Sequence, residues 1–231
     1  MISTRLPNSG EHSRAKLIYE QKEARKIEGP IKFIPFYKKF EFWLYFATVL
    51  ISVGAFLVFF FSGHKNLADY DAIARLNISR KIIDSITPGF AQLGGIWLPF
   101  PQILFLPFIW NGFLWHTGIA GAISSMFAFI LSAVFLYKTV YLITENKIGG
   151  FLAWFVYVTN VNILFLQTMA MSESFFLFTL VMIVYFLTLW VKKRNVLHLM
   201  YAALFVILTT LTRYEGYALF GAASLSVAAV M

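Results

Sequence analysis

The sequence FWLYFATVLISVGAFLVFFF, residues Phe42–Phe61, contains no charged side chain. An α-helix rises about 1.5 Å per residue, so about 20 apolar residues cross the ~30 Å hydrocarbon core of a bilayer. This stretch is therefore long enough to form a transmembrane helix. Polar residues precede it and no small-residue cleavage site follows it, so we predict an uncleaved span rather than a signal peptide.

Further apolar runs follow, separated by short polar interruptions. The composition agrees with a membrane environment, since 59% of the residues are hydrophobic and only 13% are charged. We therefore predict an all-α, polytopic integral membrane protein with about six transmembrane helices. The predicted spans are Phe42–Phe61, Ile119–Ile143, Ile148–Phe165, Phe175–Val191, Val196–Leu211 and Tyr217–Met231.

A polar, basic segment, residues 1–40, precedes the first span and holds nine of the nineteen lysine and arginine residues. Basic segments beside a transmembrane helix lie on the cytoplasmic side, so we predict a cytoplasmic segment over residues 1–40 and a membrane module over residues 41–231. The basic residues do not alternate with aromatic residues as in single-strand binders, so no nucleic-acid partner is expected. The last apolar run has no polar flank, and we expect the module to continue in a longer protein.

Several kinds of site are excluded by residue type. The chain has no cysteine, and its four histidines are far apart in the sequence. A disulfide framework, a thiolate metal site and the HExxH zinc motif are therefore excluded. Asp69 and Asp71 supply two carboxylates close together, and such oxygen ligands suit a divalent cation. The sequence leaves a divalent cation open but predicts no particular metal site.

The loops between the predicted spans give the orientation. With the N-terminus in the cytoplasm, the basic loop Lys192–Asn195 also lies inside, as the positive-inside rule requires. The external loops are then Ser62–Gly118, Gln167–Ser174 and Thr212–Gly216. We expect a multi-pass protein of the plasma membrane, or of the ER membrane in a eukaryote. Seven ionisable residues are predicted to share the external side: Asp69, Asp71, Arg75, Arg80, Glu173, Arg213 and Glu215.

The long first external loop contains two candidate juxtamembrane helices. Residues Asp69–Thr87 have apolar side chains at helical spacing on one face, with Arg75 and Arg80 opposite, which predicts an amphipathic helix in the membrane interface. Pro88-Gly89 should end it. The apolar stretch that ends near Trp110 is too short to span, so we predict a re-entrant or interfacial helix. Three tryptophans, Trp97, Trp110 and Trp115, fit an interfacial aromatic belt.

The first group of candidate site residues lies in the amphipathic helix. Asp71 could act as a general base that takes a proton from an acceptor hydroxyl, or it could be a solvated acid at a helix N-terminus. Asp69 has the same alternatives. The guanidinium groups of Arg75 and Arg80 match phosphate geometry, although contact with lipid headgroups explains them equally well.

The second group lies in the two later external loops. Glu173 opens the fourth span, where an acid is either functional or part of a helix cap with Ser172 as the N-cap. Arg213 and Glu215 interrupt an apolar stretch. They could form a local ion pair, or Arg213 could face an anionic group at the membrane surface.

Four elements, taken in order, resemble the N-terminal half of GT-C superfamily glycosyltransferases, which use polyprenyl-phosphate sugars. The closest branches are the protein O-mannosyltransferase-like and the lipid A aminoarabinose transferase-like enzymes. The first element is a basic start, one span and a long external loop with the early acids Asp69-Tyr70-Asp71. The others are Trp97–Pro101, Thr168–Phe176 and Thr212–Gly216.

The resemblance covers residues 40–231 and implies a GT-C-like membrane module. It implies an inverting transfer of a hexose, mannose-like, from a polyprenyl-phosphate donor to a protein, lipid or glycan acceptor on the external face. Asp71 would be the catalytic base, and Glu173 and Arg213 would line the donor or acceptor cavity. The remaining donor-binding candidates are Asp69, Arg75, Arg80 and Glu215. Apart from the lipid-linked donor and the bilayer, the resemblance implies no definite cofactor or partner.

Two other classes of function stay open. A transporter or lipid flippase usually needs ionisable residues near the membrane midplane, and the predicted spans contain few. A non-catalytic membrane scaffold would use the large external loop only to bind a partner.

Overall fold

The computed structural model describes residues 40–63 and 67–230. The predicted cytoplasmic segment therefore lies outside the described residues, except for Phe40. The described part is all-helical and contains no β-strand. Its helices are α1 (Phe40–Phe61), α2 (Tyr70–Arg80), α3 (Pro99–Ile109), α4 (Gly112–His116), α5 (Ile119–Thr144), α6 (Lys147–Thr159), α7 (Val161–Leu166), α8 (Ser172–Lys193), α9 (Val196–Thr210) and α10 (Gly216–Val230).

Three of the helices in the described residues, α1, α5 and α8, are long and apolar enough to cross a membrane. They coincide with the first, second and fourth predicted spans. The other predicted spans coincide with apolar helices of 10–17 residues, α6, α9 and α10. The helical fold class is therefore confirmed, whereas length and composition support three spans rather than six.

The third apolar run is not one continuous helix, as the prediction of a span over Ile148–Phe165 required. Asn160 has an extended backbone (φ −71°, ψ 113°) and separates α6 from α7. Its side-chain oxygen accepts hydrogen bonds from the backbone N–H groups of Asn162 (3.0 Å) and Ile163 (3.2 Å). A short polar side chain that caps the next helix competes with continuation of the previous one, which the hydropathy of the run did not reveal.

The segment between α7 and α8 is fixed by packing against two helices. Gln167 is fully buried and forms hydrogen bonds with both the hydroxyl (2.6 Å) and the carbonyl (3.1 Å) of Ser52 in α1. Ser125 in α5 donates to the carbonyl of Met169 at 2.6 Å. A Cβ atom at Gly121 would lie 2.3 Å from Cβ of Ala170, so only glycine permits this close approach. The start of α8 is therefore held in one position.

The first external helix is shorter than predicted and packs against protein. It ends at Arg80 instead of Thr87, because the backbone turns back and the Gly89 N–H donates to the Ile82 carbonyl at 3.0 Å. Its side chains contact α3, where the Ser79 hydroxyl donates to the Gln102 carbonyl at 3.2 Å. The predicted polar face is wrong for Arg75, which is only 7% exposed. A helix partner, rather than the membrane interface alone, determines which face of α2 is buried.

Candidate functional site

Charged residues from three segments distant in the sequence line one pocket of about 260 Å³, which we call the polar pocket. One segment is α2, another is the first turn of α8, and the third is the turn 212–215 between α9 and α10. The loop before α3 completes the wall. Five of the seven predicted site residues line this pocket: Asp71, Arg75, Glu173, Arg213 and Glu215.

One side of the polar pocket is a paired cluster built around Arg213. Its Nη1 donates to Glu173 and, at 3.3 Å, to the Ser172 hydroxyl. Its Nε and Nη2 donate to the two carboxylate oxygens of Glu215 at 3.3 and 2.8 Å. This fork-to-carboxylate arrangement is a strong form of ion pair. All three guanidinium nitrogens of Arg213 thus donate to protein groups.

The electrostatics of the paired cluster follow from these bonds. The hydrogen bond to Glu215 raises the pKa of Arg213 above its usual range, against the opposing effect of burial. The same bond holds the pKa of the Glu215 carboxyl below its ordinary value. Ser172 is not the N-cap of α8, because Met171 occupies that position without a side-chain cap bond. Glu173 therefore stabilises the site through its ion pair with Arg213. As an acid in the first turn of α8, it also interacts favourably with the helix dipole.

The other side of the polar pocket carries Asp71 and Arg75, one helical turn apart on α2. Arg75 is buried, and its Nε and Nη1 atoms have no hydrogen-bond partner among the described residues. Burial lowers the pKa of Arg75, and the nearby carboxylates of Glu173 and Asp71 oppose that shift. Asp71 is exposed and forms no ion pair within the described part of the chain. A buried cation without hydrogen bonds is costly and suits an anionic ligand.

Two predicted site residues lie outside the polar pocket. Asp69 is the N-cap of α2, where its carboxylate accepts a 2.7 Å hydrogen bond from the backbone N–H of Asp71. Arg80 donates to the Ile109 carbonyl, approaches Asp84 at 3.7 Å and lies over the ring of Trp115 at 5.1 Å. Both side chains have structural partners, so Asp69 shapes α2 and Arg80 joins it to the end of α3.

Two tethers hold the loop before α3 against the turn that carries Arg213. The Tyr214 hydroxyl donates to the Ile96 carbonyl at 3.1 Å, and the Phe100 N–H donates to the Leu211 carbonyl at 3.1 Å. These bonds join segments more than a hundred residues apart in sequence. They fix Trp97, between the tethered residues, at the wall of the polar pocket.

The turn after α9 itself depends on a glycine. Gly216 is buried, and a Cβ atom there would lie 2.6 Å from the Thr209 carbonyl oxygen. The Gly216 N–H also donates to the Arg213 carbonyl at 3.0 Å. Any larger residue would force the backbone of this turn, and with it Arg213, to move.

An apolar pocket of about 450 Å³ lies between α3, α5 and α8. Its Ser124 hydroxyl already donates to the Leu104 carbonyl at 2.8 Å, which leaves the lining without an unsatisfied hydroxyl. Two elements carry residues into both pockets: Glu173 and Phe175 lie in the first turn of α8, while Leu98 and Phe100 lie at the start of α3. Sequence reasoning missed this pocket. Phenylalanines dominate its lining: Phe100, Phe108, Phe127, Phe175 and Phe178.

Two properties of the site bear on its chemistry. The described residues contain no group of three or more histidine, aspartate or glutamate side chains that could hold a metal ion. Asp71 has an accessible carboxylate one turn from an unsatisfied guanidinium, so a proton acceptor and an anion-binding group face the same small space.

Comparison of the chain with protein-family models, with curated protein sequences and with solved structures finds no match. Any function must therefore be argued from the site itself.

Proposed function

We propose that this chain is the membrane module of a glycosyltransferase, a hexosyltransferase that transfers a sugar from a polyprenyl-phosphate donor to an acceptor hydroxyl. The observation that carries the proposal is the convergence of Asp71, Arg75 and Arg213 with two further carboxylates in one pocket. The resemblance to GT-C enzymes implies roles for Asp71, Glu173 and Arg213, and all three line this pocket.

In the proposed membrane arrangement, the polar pocket faces the external side and the N-terminus is cytoplasmic. Lys192 and Lys193 in the last turn of α8 follow Glu173 in its first turn by 19 and 20 residues, so about 30 Å separates them along the helix. That length matches the hydrocarbon core, and the positive-inside rule then assigns Lys192 and Lys193 to the cytoplasm. In this arrangement α6, α9 and α10 cross as short spans, which gives six in total.

In the proposed reaction, the Asp71 carboxylate takes the proton from the acceptor hydroxyl as its oxygen attacks the anomeric carbon. The bond between that carbon and the phosphate oxygen breaks, and the electron pair stays on the lipid phosphate. Arg75 donates hydrogen bonds to the developing anion, which offsets the cost of its own burial. One displacement of this kind inverts the anomeric centre.

The apolar pocket supports a lipid-linked donor rather than a water-soluble one. Its lining is hydrocarbon apart from Ser124, and the first turn of α8 contributes Phe175 to it and Glu173 to the polar pocket. A ligand with an anionic head and a hydrocarbon chain satisfies both environments at once. The volume of about 450 Å³ is in the range of ordinary ligand pockets.

The test is sugar transfer from a radiolabelled polyprenyl-phosphate sugar pool in membranes that contain the protein. Asp71→Asn should reduce transfer by about 10²- to 10⁴-fold, because it removes the base while preserving shape. The matched control is Asp84→Asn, since Asp84 is an exposed acid of the same external segment that pairs only with Arg80 among the described residues. Transfer unchanged by Asp71→Asn would refute the assigned base. Well-expressed wild type without transfer, across several donor sugars, would instead favour a transporter or a scaffold.

A further inference from the structure

The three tryptophans of the first external loop occupy different environments. Trp110 is 68% exposed. Trp115 packs against the ring of His116, with 4.4 Å between ring centroids, and lies under the guanidinium of Arg80. Trp97 instead is half-buried at the wall of the polar pocket, beside the charged residues. A general role as an interfacial anchor explains Trp110 but does not explain why Trp97 lines a charged pocket.

Trp97 shares that wall with Tyr214, and the structure fixes both. The Tyr214 hydroxyl donates its proton to the Ile96 carbonyl, so the ring and the acceptor side of the hydroxyl remain for a ligand. The second tether, from the Phe100 N–H to the Leu211 carbonyl, holds the other end of the Trp97 segment. No hydrogen-bond partner of the Trp97 indole N–H occurs in the described part of the chain, which leaves this donor for a ligand.

Aromatic faces beside a carboxylate and an unpaired guanidinium suit a pyranose sugar that carries a phosphate. A pyranose ring has a face of C–H bonds with partial positive charge, which is attracted to the negative face of an aromatic ring. Its edge carries hydroxyl groups that bond to carboxylates and to donors such as an indole N–H. The pocket volume of about 260 Å³ lies just below the range of pockets for drug-sized ligands, which suits a single sugar ring.

We propose that Trp97 and Tyr214 form a platform that binds the sugar ring of the ligand, next to the anion site at Arg75. The inference rests on the proposed function in one respect, namely that the ligand is a sugar phosphate. It assigns a specificity-determining role to Trp97 and Tyr214, for which the sequence predicted no contact with a ligand. The lipid-free part of such a ligand is enough to test it.

The experiment measures binding of soluble probes to the purified chain in phosphatidylcholine nanodiscs by isothermal titration. The probes are mannose 1-phosphate, glucose 1-phosphate and inorganic phosphate. If the platform exists, the wild type binds a hexose 1-phosphate about five- to tenfold more tightly than inorganic phosphate, the gain expected from one aromatic contact. Trp97→Leu should remove that gain and leave the affinity for inorganic phosphate unchanged.

Control variants keep the result interpretable. Trp97→Phe retains an aromatic face and should keep most of the gain, which separates loss of the platform from loss of folding. Trp110→Leu, at the exposed tryptophan, should change neither affinity. Arg75→Gln should lower the affinity for all three probes by a similar factor.

The outcomes separate this inference from the proposed enzyme. Equal affinity of the wild type for phosphate and hexose 1-phosphates overturns the platform, as does a sugar-dependent gain that survives in Trp97→Leu. Absence of binding by every probe overturns it too. A gain that depends on Trp97, in a protein that transfers no sugar, supports the platform and refutes the transferase.

Discussion

The two sides of the polar pocket contain the same kinds of residue in opposite states. On one side, Arg213 forms hydrogen bonds through Nε, Nη1 and Nη2, to Glu173, Glu215 and a serine hydroxyl. On the other, Arg75 is more deeply buried, yet two of its nitrogen atoms have no partner among the described residues. Asp71 likewise forms no ion pair there, whereas Glu173 does.

This difference separates groups that build the pocket from groups that are available to a ligand. The ion pairs of Arg213 stabilise one arrangement of helix ends, and most of its donors are already used by protein groups. An unsatisfied buried guanidinium costs stability in the empty state, and that cost is recovered when an anion binds. We therefore assign a structural role to the paired cluster and a ligand-binding role to Asp71 and Arg75.

The largest expected effect on stability comes from breaking the paired cluster. Arg213→Gln leaves the half-buried Glu173 without its partner and should lower the free energy of unfolding by about 1–3 kcal/mol. Arg75→Gln removes a buried cation whose Nε and Nη1 have no hydrogen-bond partner among the described residues. It should lower the free energy of unfolding by less than about 1 kcal/mol, or raise it. Thermal unfolding of both variants in the same detergent gives the comparison. The reverse order of midpoints would contradict the assigned roles.

The next effect concerns anion binding. Inorganic phosphate should raise the unfolding temperature of the wild type, because it binds only the folded pocket. Arg75→Gln should weaken phosphate binding about tenfold, the value of one charged hydrogen bond. Arg75→Lys keeps the charge but loses the planar fork, so its affinity should lie between the two. Titration calorimetry measures the phosphate affinity of the wild type, Arg75→Gln and Arg75→Lys. Equal affinities would show that phosphate does not contact Arg75.

The smallest effect concerns Glu215, which is exposed. Its pKa is lowered in the folded protein by Arg213, so the contact is fully present above the ordinary pKa of 4.5 and is lost as the pH falls through the lower folded value. A carboxyl titration by NMR should give a value below 4.5 in the wild type, and Arg213→Gln should return it towards 4.5. Glu215→Gln should change the unfolding temperature very little, because exposed ion pairs contribute little to stability. An unshifted titration in the wild type would show that this ion pair does not persist in solution.

Hydropathy predicted much of the fold. Apolar runs gave the positions of α1, α5 and α8, because a long run with very few charges has few alternatives to a membrane helix. The same runs did not show the break at Asn160, since a single capping side chain hardly changes the hydropathy of its neighbours. Local capping competes with helix continuation, and a sliding average does not register that competition.

The candidate site was predicted in part. The topology prediction placed Asp71, Glu173 and Arg213 on the same side of the membrane, and all three line one pocket. The topology prediction could not show that Arg75 lines the pocket while Arg80 contacts the Ile109 carbonyl. That difference depends on how α2 packs against α3. The role of Trp97 depends on tethers between residues more than a hundred positions apart, and no local pattern encodes them.

The most direct test of the central claim compares Asp71→Asn with Glu173→Gln in the transfer assay with a radiolabelled polyprenyl-phosphate sugar. We expect Asp71→Asn to reduce transfer by about 10²- to 10⁴-fold in a protein of wild-type stability. Glu173→Gln should lower stability and keep transfer in the fraction that remains folded. Two results would contradict the assignment of a ligand-binding role to Asp71 and Arg75 and a structural role to the paired cluster. One is transfer retained in Asp71→Asn, and the other is an equal loss of transfer in both variants at equal stability.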